Sequence, residues 1–138
     1  VITTVFTLLA LFQLKHFLAD YPLQTRYMLG KFQDGWSFVL PLLQHALVHG
    51  LMTFVIVMVF KPRLAMQLML FDMAVHFCMD RIKAGKKYLG RYKTLTAETA
   101  ATATPEQWRS NNKFWWSVGF DQAVHHLTHY VIIYTVVR

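Results

Sequence analysis

Trp36-Ser-Phe-Val-Leu-Pro41-Leu-Leu-Gln-His45-Ala-Leu-Val-His49-Gly-Leu-Met-Thr-Phe-Val-Ile-Val-Met-Val-Phe60 contains no Asp, Glu, Lys or Arg. A bilayer core is crossed by about 20 consecutive apolar residues in a helix, so this stretch has spanning length. Trp36 suits the membrane interface, and Pro41 falls in the first turns, where a missing backbone donor costs least. Working outward, Val1 to Asp20 forms a first apolar run, stopped by Tyr21-Pro22 because proline removes a donor and restricts the residue before it. Lys61-Pro62-Arg63 makes a tight connection to a third helix ending near Lys83. A fourth starts near Lys113, with Trp115 and Trp116 as interface anchors.

Composition agrees. Of 138 residues, 55% are hydrophobic and only 15% charged, too little charge to cover a soluble domain of this size. The expectation is one all-α polytopic unit over residues 1–138, with about four transmembrane helices at 1–20, 36–60, 63–83 and 113–138. Residues 23–35 read as a short interfacial segment broken by Gly30 and Gly35. Residues 84–112 form the long polar loop, with a basic run (Lys86, Lys87, Arg91, Lys93) and a small-residue tract from Leu95 to Thr104. The first segment has no basic n-region or small-residue cleavage site and reads as a retained helix. The single cysteine, Cys78, cannot form an internal disulfide and reads as a packing residue.

A net charge of +7 raises the question of nucleic acid. The basic residues fall at helix ends and in loops, which is where membrane topology and anionic headgroups select for them, so no nucleic-acid partner is expected. With four spans, loops 21–35 and 84–112 share one side. That side holds Lys15, Arg26, Lys31, Arg81, Lys83, Lys86, Lys87, Arg91, Lys93, Arg109 and Lys113, against Lys61, Arg63 and Arg138 on the other. Positive residues collect in the cytoplasm, so both loops are expected there, in a bacterial inner membrane. Lys86, Lys87 and Arg91 are placed to attract an anionic headgroup.

The histidines and aspartates carry the chemistry. Seven His and five Asp are present, and they make six pairs four residues apart: His16–Asp20, His45–His49, Asp72–His76, His76–Asp80, Asp121–His125 and His125–His129. Random placement gives about one. Spacing of four puts both side chains on one helix face. At about 1.5 Å per residue, His16, His45, His76 and Asp121 lie at similar depth, about 6–14 Å inside one leaflet. Ionisable groups there are costly unless partnered, and imidazole plus carboxylate is the ligand set of zinc and of two-metal hydrolytic sites. The expected ligands are His16, Asp20, His45, His49, His76, Asp80, Asp121 and His125, around one or two divalent ions, zinc foremost. Asp72 lies deeper and His129 near mid-bilayer, both as supports behind the ligands. His126 points off the common face.

Each pair has a plainer reading: interhelical hydrogen bonding for His45–His49, a helix-end pair for His16–Asp20, and a salt bridge with Arg81 or Lys83 for Asp80. The segments His16-Phe-Leu-Ala-Asp20-Tyr-Pro-Leu-Gln24, His45-Ala-Leu-Val-His49, His76-Phe-Cys-Met-Asp80-Arg-Ile-Lys83 and Asp121-Gln122 through His125 resemble a family of small bacterial and phage membrane proteins catalogued as domain of unknown function 3307. The resemblance implies a helical membrane fold and a shared polar set at those eight positions, and no established activity. A weaker similarity is to helical zinc-dependent phospholipases C and nucleases and to membrane-bound metal-dependent hydrolases. This chain has no glutamate in the pattern, and its set lies within the membrane. The expected function is metal-dependent hydrolysis of a lipid or phosphate-containing substrate. The alternative is an accessory subunit of a larger membrane complex, or a homo-oligomer, whose histidines pack or ligate haem or pigment. Haem is the lesser choice, because haem ligation does not call for matched aspartates.

Topology is open to a direct check. In a Cys78-free variant, a new thiol within residues 84–112 is expected to resist an impermeant reagent applied to intact cells. Labelling from outside would reverse the assignment.

Overall fold

The computed structural model describes residues 1–92 and 102–138, and among these there is no strand. Lys93 and the part of the small-residue tract up to Ala101 lie outside the described residues. Among the described residues there are five α-helices: α1 Ile2–Asp20, α2 Val39–Phe60, α3 Ala65–Ala84, α4 Pro105–Ser110 and α5 Asn112–Val137. Short 3-10 turns cover Met28–Phe32, Pro62–Leu64 and Leu89–Tyr92.

Local chemistry sets these boundaries. α1 ends where the Tyr21 and Leu23 amides donate back to Phe17 and Leu18, leaving Pro22 outside the helix. Gly35 has φ of +70°, a backbone state that favours glycine, just before the turn into α2. α2 begins at Val39, three residues later than Trp36, and keeps Pro41 in its first turn. Thr104 and Gln107 bond reciprocally at the start of α4, at 2.8 and 3.2 Å, a capping box. Asn111 caps α5 by accepting from the Phe114 amide at 3.2 Å.

α1, α2, α3 and α5 form a closed ring in which each packs on its two neighbours. α2 and α3 are the most intimate pair. A Cβ at Gly50 would stand 3.2 Å from Met73 Cβ and 3.3 Å from the Met69 carbonyl, so this close approach needs glycine.

The bundle has two unlike ends. Leu8, Phe12, Val57, Ala65, Leu68, Ile132, Ile133 and Val136 form an apolar core at one end. The interior of the other end is polar. Among the described residues, fifteen polar or charged residues are buried and thirty large apolar ones are exposed. That distribution inverts the usual one.

By length and composition, α1 and α2 can each cross a membrane. α3 and α5 have the length, at 20 and 26 residues, but carry more polar groups. Asp72, Asp80, Arg81 and Lys83 lie on α3. Lys113, Asp121 and three histidines lie on α5. Four helices are therefore present near the expected positions, two of them with the plain composition of a span.

Two sequence expectations change. Cys78 is exposed on α3 and packs into no core. Lys15 and Lys31, expected among surface cations, are 1% and 3% exposed and belong to the interior.

Gly50→Leu is expected to push α2 off α3 and cost about 1–3 kcal/mol, seen as a lower thermal midpoint of detergent-solubilised protein. Gly119, with open space at its Cβ position, is the control. Gly119→Ala should be neutral or gain about 0.5–1 kcal/mol by reducing chain entropy.

Candidate metal centre

Four aspartates organise the polar end. Asp72, midway along α3 and fully buried, accepts from Lys15 Nζ at 2.6 Å and Thr53 Oγ1 at 2.6 Å. Asp80, two turns on, meets Lys31 Nζ at 2.7 Å and Lys83 Nζ at 3.4 Å. Asp121 on α5 meets the same Lys83 Nζ at 2.7 Å. Asp20 closes α1, and among the described residues no lysine lies within ion-pair distance of it. Its carboxylate faces three imidazole Nε2 atoms instead: His16 at 3.1 Å, His45 at 3.3 Å and His49 at 3.1 Å.

The imidazoles pack together. His49 and His76 stack with centroids 3.8 Å apart, and His76 and His125 at 4.0 Å. His45 meets His49 edge-on at 4.8 Å, and His16 lies 5.4–5.7 Å from His49, His125 and His129. His45 Nε2 is 3.3 Å from Asp20 and 3.2 Å from Asp80, without hydrogen-bond alignment to either. Several buried ring nitrogens have no hydrogen-bond partner: Nδ1 of His16, His45, His49, His125 and His129, and Nε2 of His45 and His76. Buried polar atoms are normally satisfied, so these nitrogens are the ones open to a ligand or to water.

All eight sequence-derived candidates lie at this end of the bundle. The geometry sorts them into three trios whose donor atoms are within 4.8 Å of one another: Asp20, His45 and His49; His16, His76 and His129; Asp80, Asp121 and His125. Donors around a tetrahedral zinc stand about 3.4 Å apart, and Asp20 Oδ1 already lies 3.3 Å from His45 Nε2 and 3.1 Å from His49 Nε2. His129, placed behind the ligands in the sequence reading, stands level with His16 and His76. Asp72 keeps its supporting place, 3.2 Å from His76 Nδ1. His126 sits off the cluster on the side of α1, 3.2 Å from Gln13.

The sequence reading missed Lys15, Lys31 and Thr53, and it had Lys83 as a partner of Asp80 but not of Asp121. Lys15 had a signal: a lysine inside an apolar helix needs an interior partner. Lys31 had none, because it reaches Asp80 from a turn 49 residues away in sequence. Of the basic residues assigned to headgroups, Lys86 pairs with the exposed Asp34 at 2.5 Å and Arg91 donates to Tyr92 at 2.7 Å. Lys87 is exposed.

The chemical contrast lies among the carboxylates. Asp72, Asp80 and Asp121 already hold lysine ammonium groups. Among the described residues Asp20 is met by imidazole nitrogens and by no lysine, and its side chain is 22% exposed where those of His45 and His49 are under 2%. Two histidines and one carboxylate with an open side are the ligand set of a hydrolytic zinc site.

Residues 8–138 match the family described as "Protein of unknown function (DUF3307)". No curated protein and no solved structure matches the chain.

The lysine pairs make a separate expectation. Lys15→Met leaves Asp72 charged and buried, and is expected to cost about 3–5 kcal/mol in chemical unfolding from mixed micelles. Lys15→Met with Asp72→Asn should recover much of that loss. Equal cost in single and double variants would show that Lys15 acts through packing.

Proposed function

We propose that this chain, which belongs to the DUF3307 family, is a four-span inner-membrane protein with a metal centre at the cytoplasmic end of its bundle, acting as a metal-dependent hydrolase. The observation that carries the reading is Asp20, a carboxylate shared by the Nε2 atoms of His16, His45 and His49 and partly open to solvent. The inverted burial supports the membrane placement, since an apolar exterior suits lipid and a charged interior does not need water if every charge is paired.

A divalent ion held by Asp20, His45 and His49 supplies Lewis acidity and an activated nucleophile at neutral pH. His16 orients the Asp20 carboxylate from the adjacent turn. Lys31 and Lys83 offset the charge of Asp80 and Asp121, so an anionic phosphate can approach without facing bare carboxylates. Lys87, with Lys86 and Arg91, lies on the segment that follows α3 and suits an anionic headgroup. Zinc suits this set of two imidazoles and a carboxylate, and haem, which does not call for matched aspartates, is the lesser choice.

The accessory-subunit reading is favoured by one observation, the three lysines that neutralise carboxylates with no ion needed. Elemental analysis of the purified chain separates the two. Wild type is expected to carry zinc and to hydrolyse a phosphodiester in mixed micelles. His45→Ala and Asp20→Asn should each lose the ion at this position and the activity while the helices stay inserted. His126→Ala should match wild type. Equal metal content in wild type, His45→Ala and Asp20→Asn would leave the accessory reading in its place.

A further inference from the structure

The three trios are not equivalent, and the difference decides where a second ion can sit. Asp80, Asp121 and His125 look the richest in charge, but Lys31 and Lys83 occupy both carboxylates at 2.7 Å. A divalent ion there must displace or face two ammonium groups. The His16, His76 and His129 trio is different. The three residues are 6%, 1% and 0% exposed and come from three helices, α1, α3 and α5. Each ring has one nitrogen placed against a neighbour. His16 Nε2 lies 3.0 Å from Gln122 Oε1 and 3.1 Å from Asp20. His76 Nδ1 lies 3.1 Å from the Asp72 carbonyl and 3.2 Å from its carboxylate. His129 Nε2 lies 3.4 Å from Lys15 Nζ, long for a hydrogen bond. The other nitrogen of each ring has no partner.

His16 and His76 show the pattern of ligating histidines, in which an outer acceptor fixes the ring and the remaining nitrogen is left for metal. His129, whose neighbour is an ammonium donor, joins them by its unpartnered Nδ1 and its place in the trio. We infer that His16, His76 and His129 form a second, all-nitrogen transition-metal site, deeper in the bundle than Asp20. Three imidazoles with no carboxylate suit zinc or copper and do not suit magnesium or calcium, which take oxygen ligands. Lys15 is the nearest cation, and its charge is matched by Asp72 at 2.6 Å, so the pair presents no net charge to the ion. The site rests on the reading of this end of the bundle as a metal centre, and it is separable from it because it shares no residue with the Asp20, His45 and His49 trio.

The test uses the full chain in detergent, loaded with zinc alone and washed. Wild type is expected to retain two zinc ions, with one retained by His129→Ala and one by Asp20→Asn. Asp121→Asn should keep two. X-ray absorption on zinc-loaded Asp20→Asn should show an ion with three imidazoles, a readout that does not depend on His129→Ala folding. Magnesium should not compete at tenfold excess. If Asp121→Asn loses an ion and His129→Ala keeps both, the second ion belongs to the carboxylate trio and the inference is wrong. A single ion lost in Asp20→Asn and kept in His129→Ala also overturns it, while leaving the proposed function standing. No zinc in wild type sinks both.

Discussion

Lys15 and Asp72 meet at 2.6 Å inside the bundle, one on α1 and the other on α3, with 1% and 0% of their side chains exposed. Two charges taken out of water cost several kcal/mol each, and the cost is met only when they find each other with good geometry and further hydrogen bonds. Thr53 of α2 provides such a bond at 2.6 Å, and His76 Nδ1 of α3 lies 3.2 Å from the other carboxylate oxygen. The same rule governs Lys31 with Asp80 and Lys83 with Asp121. Because the charges satisfy one another internally, the outer surface is free to be apolar. The ring of helices cannot rotate or slide without leaving a carboxylate bare, so these pairs also set the helix register.

The two ends of the bundle divide the work. The apolar end, built from Leu8, Phe12, Val57, Ile132 and their neighbours, packs as an ordinary hydrophobic interior. The polar end depends on how closely the backbones approach. Gly50 lets α2 lie against Met69 and Met73 of α3, and this brings His49 to stack on His76 one turn away. A bulkier residue there would separate the two helices at the level where their histidines meet.

The carboxylates differ in partner more than in position. A lysine holds each of Asp72, Asp80 and Asp121, and these pairs serve the fold. Among the described residues Asp20 is held by imidazoles and by no lysine, at the edge of the bundle, with 22% of its side chain exposed. The division gives a physical reason to expect chemistry at the end of α1 and structural duty at the paired sites. It also explains how a chain can bury so many ionisable groups and still form one tightly packed ring.

The all-α class, the approximate positions of the four long helices and the gathering of His and Asp at one end were legible in the sequence, because spacing of four fixes a helix face and antiparallel order fixes depth. Those are local properties. The sequence separated His129 from His125 by depth alone and set it behind the ligands, since both continue the same face. Only packing against α1 and α3 sets His129 with His16 and His76. Nor could the sequence show that Lys31 turns inward, because a lysine in a short turn has the same local signature whether it reaches water or a carboxylate. The choice depends on which aspartate the other helices bring within reach, and that is a property of the assembled bundle.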